Sequence, residues 1–369
     1  MKPIFLEEWI HNRIKRRVEE DSEYRQYVGK ECLKEVTRQD LEDFQLFKLQ
    51  KTLDYVSEKS PFYQYMFAKN GIKPHQFNFL DDLNHIPFTY PEDLSKSPFR
   101  LQCVPLGEVA RVFTFTTSGT TGSEKRVFFT ERDLDYIIDF FAACAKTVSG
   151  DDGVIQILLP NGRPFSQADL LAKGVRAAGR TAVVTGANLN SREQIRKMEE
   201  FNSNVLVGTV SCVYRVTQES REYHHLGKIG VKTIITTSEY LPGPTRKELQ
   251  DVWECEVYAH YGLTEMGLGV ALECENKAGF HVNEADFVVE VVNPGTGEPL
   301  KHEGEEGELV FTTLSREGMP FLRYRTRDLS MLMRQPCECG ASTIRRIGEI
   351  IKRRRIYQEN TEITIGGGK

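Results

Sequence analysis

A segment rich in hydroxyl side chains and glycine carries the clearest chemical signal in the sequence. It reads Thr116-Thr117-Ser118-Gly119-Thr120-Thr121-Gly122-Ser123-Glu124-Lys125 and follows an apolar, strand-like run. Glycines allow successive backbone N–H groups to converge, and such a nest binds anions. The hydroxyl groups add hydrogen-bond donors for phosphate oxygens, and Lys125 adds a positive charge. The pattern predicts a phosphate-binding loop that lacks the Walker spacing, and a polar surface turn is the alternative.

Three later segments combine an aromatic ring or an acid with a short polar motif. They are Ser238-Glu239-Tyr240, Tyr261-Gly262-Leu263-Thr264-Glu265 and Tyr324-Arg325-Thr326-Arg327-Asp328. A hard divalent cation that bridges phosphate oxygens needs a carboxylate ligand, which suits Glu265. The alternatives are structural: Tyr261 as a core aromatic residue, and Asp328 as an ion-pair partner of Arg325 or Arg327.

Four residues form a candidate metal set late in the chain: Cys274, His281, Cys337 and Cys339. Three thiolates and one imidazole make a closed tetrahedral set of the kind that binds structural zinc. In the alternative interpretation Cys337 and Cys339 are ordinary thiols in a loop, because cysteine is often a small buried hydrophobic residue.

The spacing of apolar and β-branched residues predicts the helices and strands that position these side chains. Residues 39–57 have helical spacing, whereas β-branched runs alternate with helical stretches between 100 and 265. The fold class is therefore α/β, with helix-covered sheets and a small β lobe. The predicted organisation is a helical lead-in over 1–100, an α/β core over 101–285, a β lobe over 286–348 and a tail over 349–369. The predicted strands are Val154–Leu159, Thr181–Thr185, Val205–Val207, Thr233–Thr237, Phe287–Val292, Glu308–Thr313 and Leu329–Met333, and the predicted helices of the core are Asp169–Ala178, Ser191–Phe201 and Pro244–Trp253.

Composition narrows the class of protein. The chain has 369 residues, a net charge of −5, 40% hydrophobic and 27% charged residues. Nucleic-acid binding is not favoured, because no basic stripe accompanies the acidic balance. No apolar run approaches the roughly 18–20 residues of a membrane helix, and the N-terminus turns acidic before a secretory core could form. These features predict a cytoplasmic globular protein with no membrane partner.

The loop and the three later segments together resemble the adenylate-forming (ANL) superfamily. The resemblance implies ATP and Mg²⁺ as cofactors and a large N-terminal domain of helix-covered sheets. It also implies that Thr117–Gly122 and Lys125 hold the phosphates, that Thr264 approaches the α-phosphate, and that Glu265 binds the metal. The same resemblance places Ser238, Glu239, Tyr240, Tyr261 and Gly262 around adenine, and Asp328 on the ribose.

Other segments resemble the phenylacetate-CoA ligase branch of this superfamily, from about residue 50 to about residue 348. They include Ser60-Pro61-Phe62-Tyr63, Ile86-Pro87-Phe88-Thr89, Gly307–Leu314 and Pro320–Asp328. Some members of the branch carry zinc on a comparable ligand set. The resemblance implies a small carboxylic acid, expected to be aromatic, and ATP as the substrates.

The end of the chain departs from the superfamily pattern. The hinge position reads Gly348-Glu349-Ile350-Ile351-Lys352, which lacks the usual arginine and acidic pair, and few residues follow. This predicts an absent or vestigial C-terminal domain, as in single-domain relatives such as the acyl-protein synthetases and the phenazine-antibiotic adenylating proteins. We therefore expect acyl-adenylate formation from a phenazine carboxylate in antibiotic biosynthesis, ahead of reduction to an aldehyde by a downstream reductase.

Several alternatives stay open at this stage. An aryl-CoA ligase would complete a thioester, an acyl-protein synthetase would label a protein, and a degenerate nucleotide-binding scaffold would not turn over. In the adenylation hypothesis Lys125, Thr264 and Glu265 are the catalytic residues. His260 either faces the acyl pocket or is structural. A homodimer is expected only because dimers are common.

Overall fold

The computed structural model describes residues 4–116 and 124–350. These residues belong to two compact units. The first consists of Met1–Asp135, Thr264–Met266 and Val282–Ile347, and the second of Tyr136–Leu263, Gly267–His281 and Gly348–Lys369. The α-helices of the described ranges are α1 (Phe5–Glu20), α2 (Ser22–Val28), α3 (Arg38–Lys59), α4 (Pro61–Asn70), α5 (Pro91–Lys96), α6 (Pro98–Leu101), α7 (Glu131–Val148), α8 (Gln167–Ala177), α9 (Ser191–Phe201), α10 (Val210–Ser220) and α11 (Gly243–Trp253).

The strands of the same ranges are short and mostly apolar, as expected for sheets that are covered by other elements. They are β1 (Arg111–Thr116), β2 (Glu124–Phe129), β3 (Val154–Leu158), β4 (Thr181–Val184), β5 (Val205–Thr209), β6 (Thr233–Thr237), β7 (Glu256–Tyr261), β8 (Ala271–Glu273), β9 (Phe280–Val282), β10 (Phe287–Val292), β11 (Glu306–Thr313), β12 (Tyr324–Met333) and β13 (Arg346–Ile347).

The first unit begins with helices whose ends are set by local chemistry. Thr37 and Asp40 form a reciprocal capping box at the start of α3, which buries Leu41, Phe44 and Val56 among other apolar residues. Ser60 then caps α4, whose first residue is a proline, so the chain breaks between the two helices at this point. These caps explain why one long apolar pattern yields two separate helices.

Antiparallel strands complete the first unit. β1 pairs with β2, and Thr116 lies opposite Glu124. The strands β10, β11, β12 and β13 pair in that order. The register of β11 and β12 shifts between Glu308 and Val310: only Leu309 of β11 lies opposite residues 326–328 of β12, and such an irregularity bends the strand that carries the extra residues.

The second unit is built on a mixed sheet. The strands β7, β6, β5, β3 and β4 are parallel neighbours, and β8 pairs antiparallel to β7. All five residues of β6 are buried, as expected for a parallel strand with helices on both faces. Ser166, Asn190 and Thr209 cap α8, α9 and α10 through their side chains, so three of the crossover helices begin at a capping residue.

This architecture confirms the predicted α/β class with helix-covered sheets. Thr233–Thr237, Phe287–Val292 and Ser191–Phe201 have the predicted bounds. The structural division joins the helical lead-in and the predicted β lobe in one unit. The predicted loop residues 117–123 and all of the tail beyond residue 350 lie outside the described residues. Within the described ranges, no helix has both the length and the apolar character needed to cross a membrane.

Candidate active site

A buried charged cluster joins three elements of the first unit. Lys125 of β2, Glu265 and Tyr324 of β12 are 4%, 7% and 1% exposed. Lys125 Nζ lies 3.1 Å from Glu265 Oε1 and 3.4 Å from the Tyr324 hydroxyl, which donates to the same Oε1 at 2.7 Å. Burial and the neighbouring carboxylate raise the pKa of Tyr324 well above its usual value. The phenol therefore stays protonated and remains a donor.

The second carboxylate oxygen of Glu265 is available to a ligand. Within the described residues, both hydrogen bonds to this side chain reach Oε1, and none reaches Oε2. The segment is held from behind, because Arg316 donates to the Glu265 backbone carbonyl at 2.7 Å and stacks 4.5 Å from the Phe129 ring centroid. Burial lowers the pKa of Arg316 to about 10, so the guanidinium stays charged at neutral pH. Thr264, immediately before Glu265, is partly exposed.

Asp328 is buried on β12, within the irregular segment 326–328 that lies opposite Leu309 of β11. The Asp328 backbone N–H donates to the Thr326 hydroxyl at 3.1 Å, and that hydroxyl donates to the Leu309 carbonyl at 2.8 Å. The irregular pairing thus fixes the backbone at the residue that the sequence assigns to the ribose.

The alternative prediction made Asp328 the ion-pair partner of Arg325 or Arg327, but each of these arginines pairs with another carboxylate. Arg325 pairs with Glu308, and Arg327 pairs with Glu92. Arg327 has a positive φ of 63°, and its backbone N–H donates to Glu308 at 2.9 Å. A non-glycine residue in this conformation marks a locally constrained backbone.

Three of the predicted adenine-side residues line one cavity in the second unit. Glu239, Tyr240 and Tyr261 border a space of about 390 Å³. The Glu239 carboxylate accepts hydrogen bonds from the backbone N–H and hydroxyl of Ser211 at 2.6 and 2.8 Å. Tyr240 donates from its hydroxyl to Glu349 at 2.5 Å. The cavity combines aromatic faces with polar groups, as a site for a heteroaromatic base requires.

The backbone is constrained at two predicted adenine-side residues, Ser238 and Gly262. Ser238 has φ 68°, a left-handed conformation that directs the chain out of β6. At Gly262 an added Cβ would lie 1.7 Å from the Leu268 carbonyl oxygen, so only glycine fits. Tyr261, on the adjoining strand end, is 3% exposed.

The second unit also contains an apolar pocket. Sequence analysis predicted none of its lining residues, except that His260 was given two alternative roles, in an acyl pocket or in the structure. Its lining includes Phe141, Cys144, Leu171, Val207, Ile235 and Leu272. Three polar side chains, Gln167, Thr237 and His260, also line it, and Thr237 and His260 hydrogen bond to each other at 3.0 Å. No short motif could have pointed to this pocket, because its lining comes from several strands and helices.

Two of the candidate zinc ligands belong to the second unit and two to the first. Cys274 and His281 are buried in the second unit, and the Cys274 carbonyl accepts from the Lys277 N–H at 3.0 Å. Cys337 and Cys339 are buried in the first unit, in a turn where the Cys337 carbonyl accepts from the Gly340 N–H at 3.0 Å. These four residues are the candidate metal ligands among the described residues.

Tyr324 and Arg316 are functional candidates that sequence analysis left unassigned. Tyr324 stands at the head of a quoted motif, but only the fold shows its hydroxyl on Glu265. Arg316 follows a different strand, and nothing in its local sequence links it to the Glu265 carbonyl. Both residues reach Glu265 from distant positions in the chain.

Comparison with known proteins identifies the class and then the family. Residues 48–315 match the sequence profile of the AMP-binding enzymes, and the chain belongs to this family. The phenylacetate-coenzyme A ligase of Thermus thermophilus is 34% identical over 325 residues, which cover 87% of this chain and 72% of that protein. The corresponding Escherichia coli ligase is 31% identical over 317 residues, covering 84% and 70%.

The fold also matches a solved ligase. An open conformation of 2-hydroxyisobutyryl-CoA ligase superposes with a TM-score of 0.76 at 20% identity, covering 85% of this chain and 74% of that chain. Family membership makes the protein an acid-activating, adenylate-forming ligase, for which ATP is the implied co-substrate. The predictions of an enzyme, of this superfamily and of phenylacetate-CoA ligase relatives are confirmed.

Proposed function

We propose that this chain joins an aromatic carboxylic acid to AMP, using the charged cluster of the first unit to manage the phosphate charge. The observation that carries the proposal is the triad of Lys125, Glu265 and Tyr324, buried together from three separate parts of the chain. A buried lysine–carboxylate pair is costly to desolvate and adds little stability on balance, so its retention favours a functional role.

In the proposed reaction, a carboxylate oxygen of the acid forms a bond to the α-phosphorus of ATP. The bond from that phosphorus to the bridging oxygen breaks, and pyrophosphate leaves with the electron pair. No protein nucleophile is needed, so catalysis rests on positioning and on offsetting negative charge. The Lys125 ammonium supplies that charge on the protein side, and Thr264 contacts the α-phosphate.

The remaining predicted residues take binding roles in this proposal. Asp328 accepts hydrogen bonds from the ribose hydroxyls, and Tyr261 and Tyr240 border adenine beside Glu239. Ser238 and Gly262 shape the backbone around that base. The phosphate loop contributes Thr117, Ser118, Gly119, Thr120, Thr121 and Gly122.

The donor set at Glu265 fits a magnesium ion. Magnesium is commonly held by one or two carboxylates together with substrate phosphates and waters. Glu265 offers Oε2 for this purpose, while Tyr324 and Lys125 fix Oε1. When bound, the ion would add positive charge beside the phosphate oxygens.

An aromatic acid is supported by two observations. The relatives described above are named for phenylacetate, and the second unit holds an apolar pocket lined by Phe141, Ile235 and Leu272. A phenazine carboxylate in antibiotic biosynthesis, with later reduction by a partner enzyme, stays a prediction from the sequence. A homodimer likewise stays a prediction.

The second candidate function is a full aryl-CoA ligase, and the names of the relatives favour it. It shares the adenylation step and adds attack of the CoA thiolate on the acyl carbon, releasing AMP and forming a thioester. An acyl-protein synthetase would instead transfer the acyl group to a protein. The two candidates differ only after the adenylate has formed.

Pyrophosphate exchange tests the shared step, and product analysis separates the candidates. The purified chain is incubated with ATP, magnesium and a panel of benzoate, phenylacetate, naphthoate, phenazine-1-carboxylate and hexanoate. We expect exchange that depends on an aromatic acid. Exchange with hexanoate alone, or with no acid, would overturn the proposal. Adding CoA and finding the thioester by mass spectrometry would establish the ligase, and radiolabelled protein would establish transfer to a polypeptide.

We also propose that Cys274, His281, Cys337 and Cys339 hold a structural zinc ion. Their residue types and burial fit a closed site with no open ligand position. Elemental analysis of the purified chain should find one zinc ion per chain. The double variant Cys337→Ser with Cys339→Ser should lose the metal, whereas Cys144→Ser should retain it. Full zinc occupancy in the double variant would contradict the assignment.

A further inference from the structure

His260 presents an unpartnered hydrogen-bonding atom to the apolar pocket of the second unit. Its Nε2 is shielded from solvent and has no hydrogen-bond partner among the described residues. Phe140 and Phe141 pack beside the ring, each with its centroid 6.2 Å away. A buried polar atom without a partner costs free energy, so a native structure that keeps one needs an explanation.

The hydrogen bond on the other side of the ring is compatible with either tautomer of the imidazole, and the single proton of the Thr237 hydroxyl favours the tautomer with its proton on Nε2. The Thr237 hydroxyl lies 3.0 Å from His260 Nδ1, and this is its only side-chain hydrogen bond within the part of the chain that the structure describes. A hydroxyl has one proton to donate, and here Nδ1 is the acceptor that can take it. The neutral ring then carries its own proton on Nε2, which makes Nε2 a donor.

The ring stays neutral at physiological pH. Burial lowers the pKa of His260 to about 4, and no neighbouring carboxylate opposes that shift. Cys144, which also lines the pocket, has its thiol pKa raised by burial and is uncharged as well. The pocket thus offers apolar contacts, the partly exposed amide of Gln167 and the buried, neutral N–H group of His260.

The position of His260 connects this pocket to the nucleotide side. His260 also lines the cavity of about 390 Å³ that Tyr240 and Tyr261 border. An acyl-adenylate places its acyl group next to the nucleotide. A pocket that shares a lining residue with the nucleotide cavity is therefore suited to the acyl part.

We propose that His260 Nε2–H selects acids whose ring carries a neutral hydrogen-bond acceptor, such as a ring nitrogen, an ether or a carbonyl oxygen, with Thr237 as the residue that positions the proton. This inference rests on the proposed adenylation of an aromatic acid and names the class of acid. The apolar lining excludes the carboxylate as the acceptor, because an unpaired charge is costly to bury.

Isosteric bicyclic acids test the proposal. The panel is 1-naphthoate and its quinoline and isoquinoline analogues in which one ring CH becomes nitrogen, leaving out isomers with nitrogen beside the carboxylate. Dissociation constants are measured by calorimetry, and ATP–pyrophosphate exchange is measured in parallel. We expect at least one nitrogen isomer to bind about tenfold more tightly than naphthoate, since one hydrogen bond to a buried donor is formed.

Three variants then locate the donor. His260→Phe keeps a flat ring and removes the N–H, so the preference for the nitrogen isomer should disappear. His260→Gln places an amide N–H at a similar reach and should restore most of it. Thr237→Val removes the hydroxyl with little change in shape and should weaken the preference by about threefold or more.

Each result decides the matter. Equal binding of all isomers by the natural chain, or a preference that survives in His260→Phe, overturns the proposal. An equal loss for every acid in His260→Phe also overturns it, because it would indicate contact with the carboxylate. Thermal melts check that the variants fold, and Thr237→Val provides a test that leaves the imidazole in place.

The two readouts separate this inference from the proposed function. Selective binding without pyrophosphate exchange would support the acceptor preference and contradict adenylation. Exchange with naphthoate and all isomers at one rate would support adenylation and contradict the acceptor preference.

Discussion

The charged cluster of the first unit and the apolar pocket of the second differ in how far their polar atoms have hydrogen-bond partners. In the cluster, the lysine, the glutamate and the tyrosine bond to one another. In the pocket, the histidine bonds to Thr237 on one side and leaves Nε2 unpartnered on the other, within the described residues. The first arrangement holds charges in place before a substrate arrives, whereas the second leaves a buried polar atom that a ligand could pair with.

This difference separates catalysis from selection. Preorganised charges act on the triphosphate, which every substrate acid shares, so changes there should affect all acids equally. A buried donor in a mostly apolar pocket acts on the part of the acid that varies, so changes there should affect some acids and not others.

Replacing Glu265 should have the largest effect. Glu265→Gln keeps the shape and hydrogen bonding but removes the negative charge that the proposed metal requires. We expect pyrophosphate exchange to fall by about a thousandfold or more, and to the same extent for every acid. The measurement is exchange with benzoate, naphthoate and phenylacetate in parallel.

The matched control for this change is an exposed carboxylate on α9. Glu193→Gln removes the same charge away from the cluster and should leave exchange unchanged. A Glu265→Gln loss that varies strongly with the acid would break the proposed separation between the two regions.

Removing the Tyr324 hydroxyl should give the next largest effect. Tyr324→Phe deletes the donor that holds Glu265 Oε1 at 2.7 Å. Residues that orient a metal ligand typically change activity by about 10–100-fold, and we expect a kcat loss in that range with KM for the acid unchanged. Steady-state kinetics with saturating magnesium measures this split.

Tyr63 provides the comparison, because its buried hydroxyl has a structural role. It accepts from the Leu322 N–H at 2.8 Å, just before β12 begins. Tyr63→Phe should lower the free energy of unfolding by about 1–2 kcal/mol and spare kcat. If Tyr324→Phe showed only that loss of stability, its positioning role would be wrong.

The pH dependence of stability should report the buried imidazole. The pKa of His260 is about 4 in the folded chain, below its value of 6.5 when exposed. The unfolded chain therefore binds more protons between these values, so stability is complete above pH 6.5 and is lost as pH falls through 4. The contribution is at most about 3 kcal/mol.

Denaturation of the natural chain and His260→Phe across pH 7 to 4 measures this contribution. The unfolding free energy of the natural chain should fall relative to that of His260→Phe as the pH falls, since only the natural chain has an imidazole that takes up a proton on unfolding. Parallel pH curves would show that the ring titrates normally and would weaken the case for a neutral donor.

The smallest expected effect is at the turn that leads to the adenine-side cavity. Ser238 holds φ 68°, which glycine adopts without a Cβ penalty. Ser238→Gly should change the unfolding free energy by less than about 1 kcal/mol, because relief of strain and the added freedom of the unfolded chain oppose each other. Urea denaturation measures stability, and KM for ATP should stay within about twofold.

Periodicity predicted the regular elements well where one residue type dominated. β6 consists of β-branched residues and β10 is apolar except for Glu290, and both have the predicted bounds. β12 begins at Tyr324, whereas the predicted strand begins at Leu329. The prediction missed the start of the strand because several of its first residues are charged. Arg325 is tolerated in that strand since Glu308 pairs with it. β7 carries Glu256, Tyr258 and His260 among its residues and was not predicted as a strand.

The α/β class, the family motifs and the identity of the charged acids and lysine can be predicted from the amino-acid sequence, since short motifs encode local backbone shape and side-chain chemistry. The contacts of Tyr324 and Arg316 with Glu265, and of Thr237 with His260, are evident only from the three-dimensional fold. These contacts join positions far apart in the chain, and only packing of the strands determines which distant side chains meet.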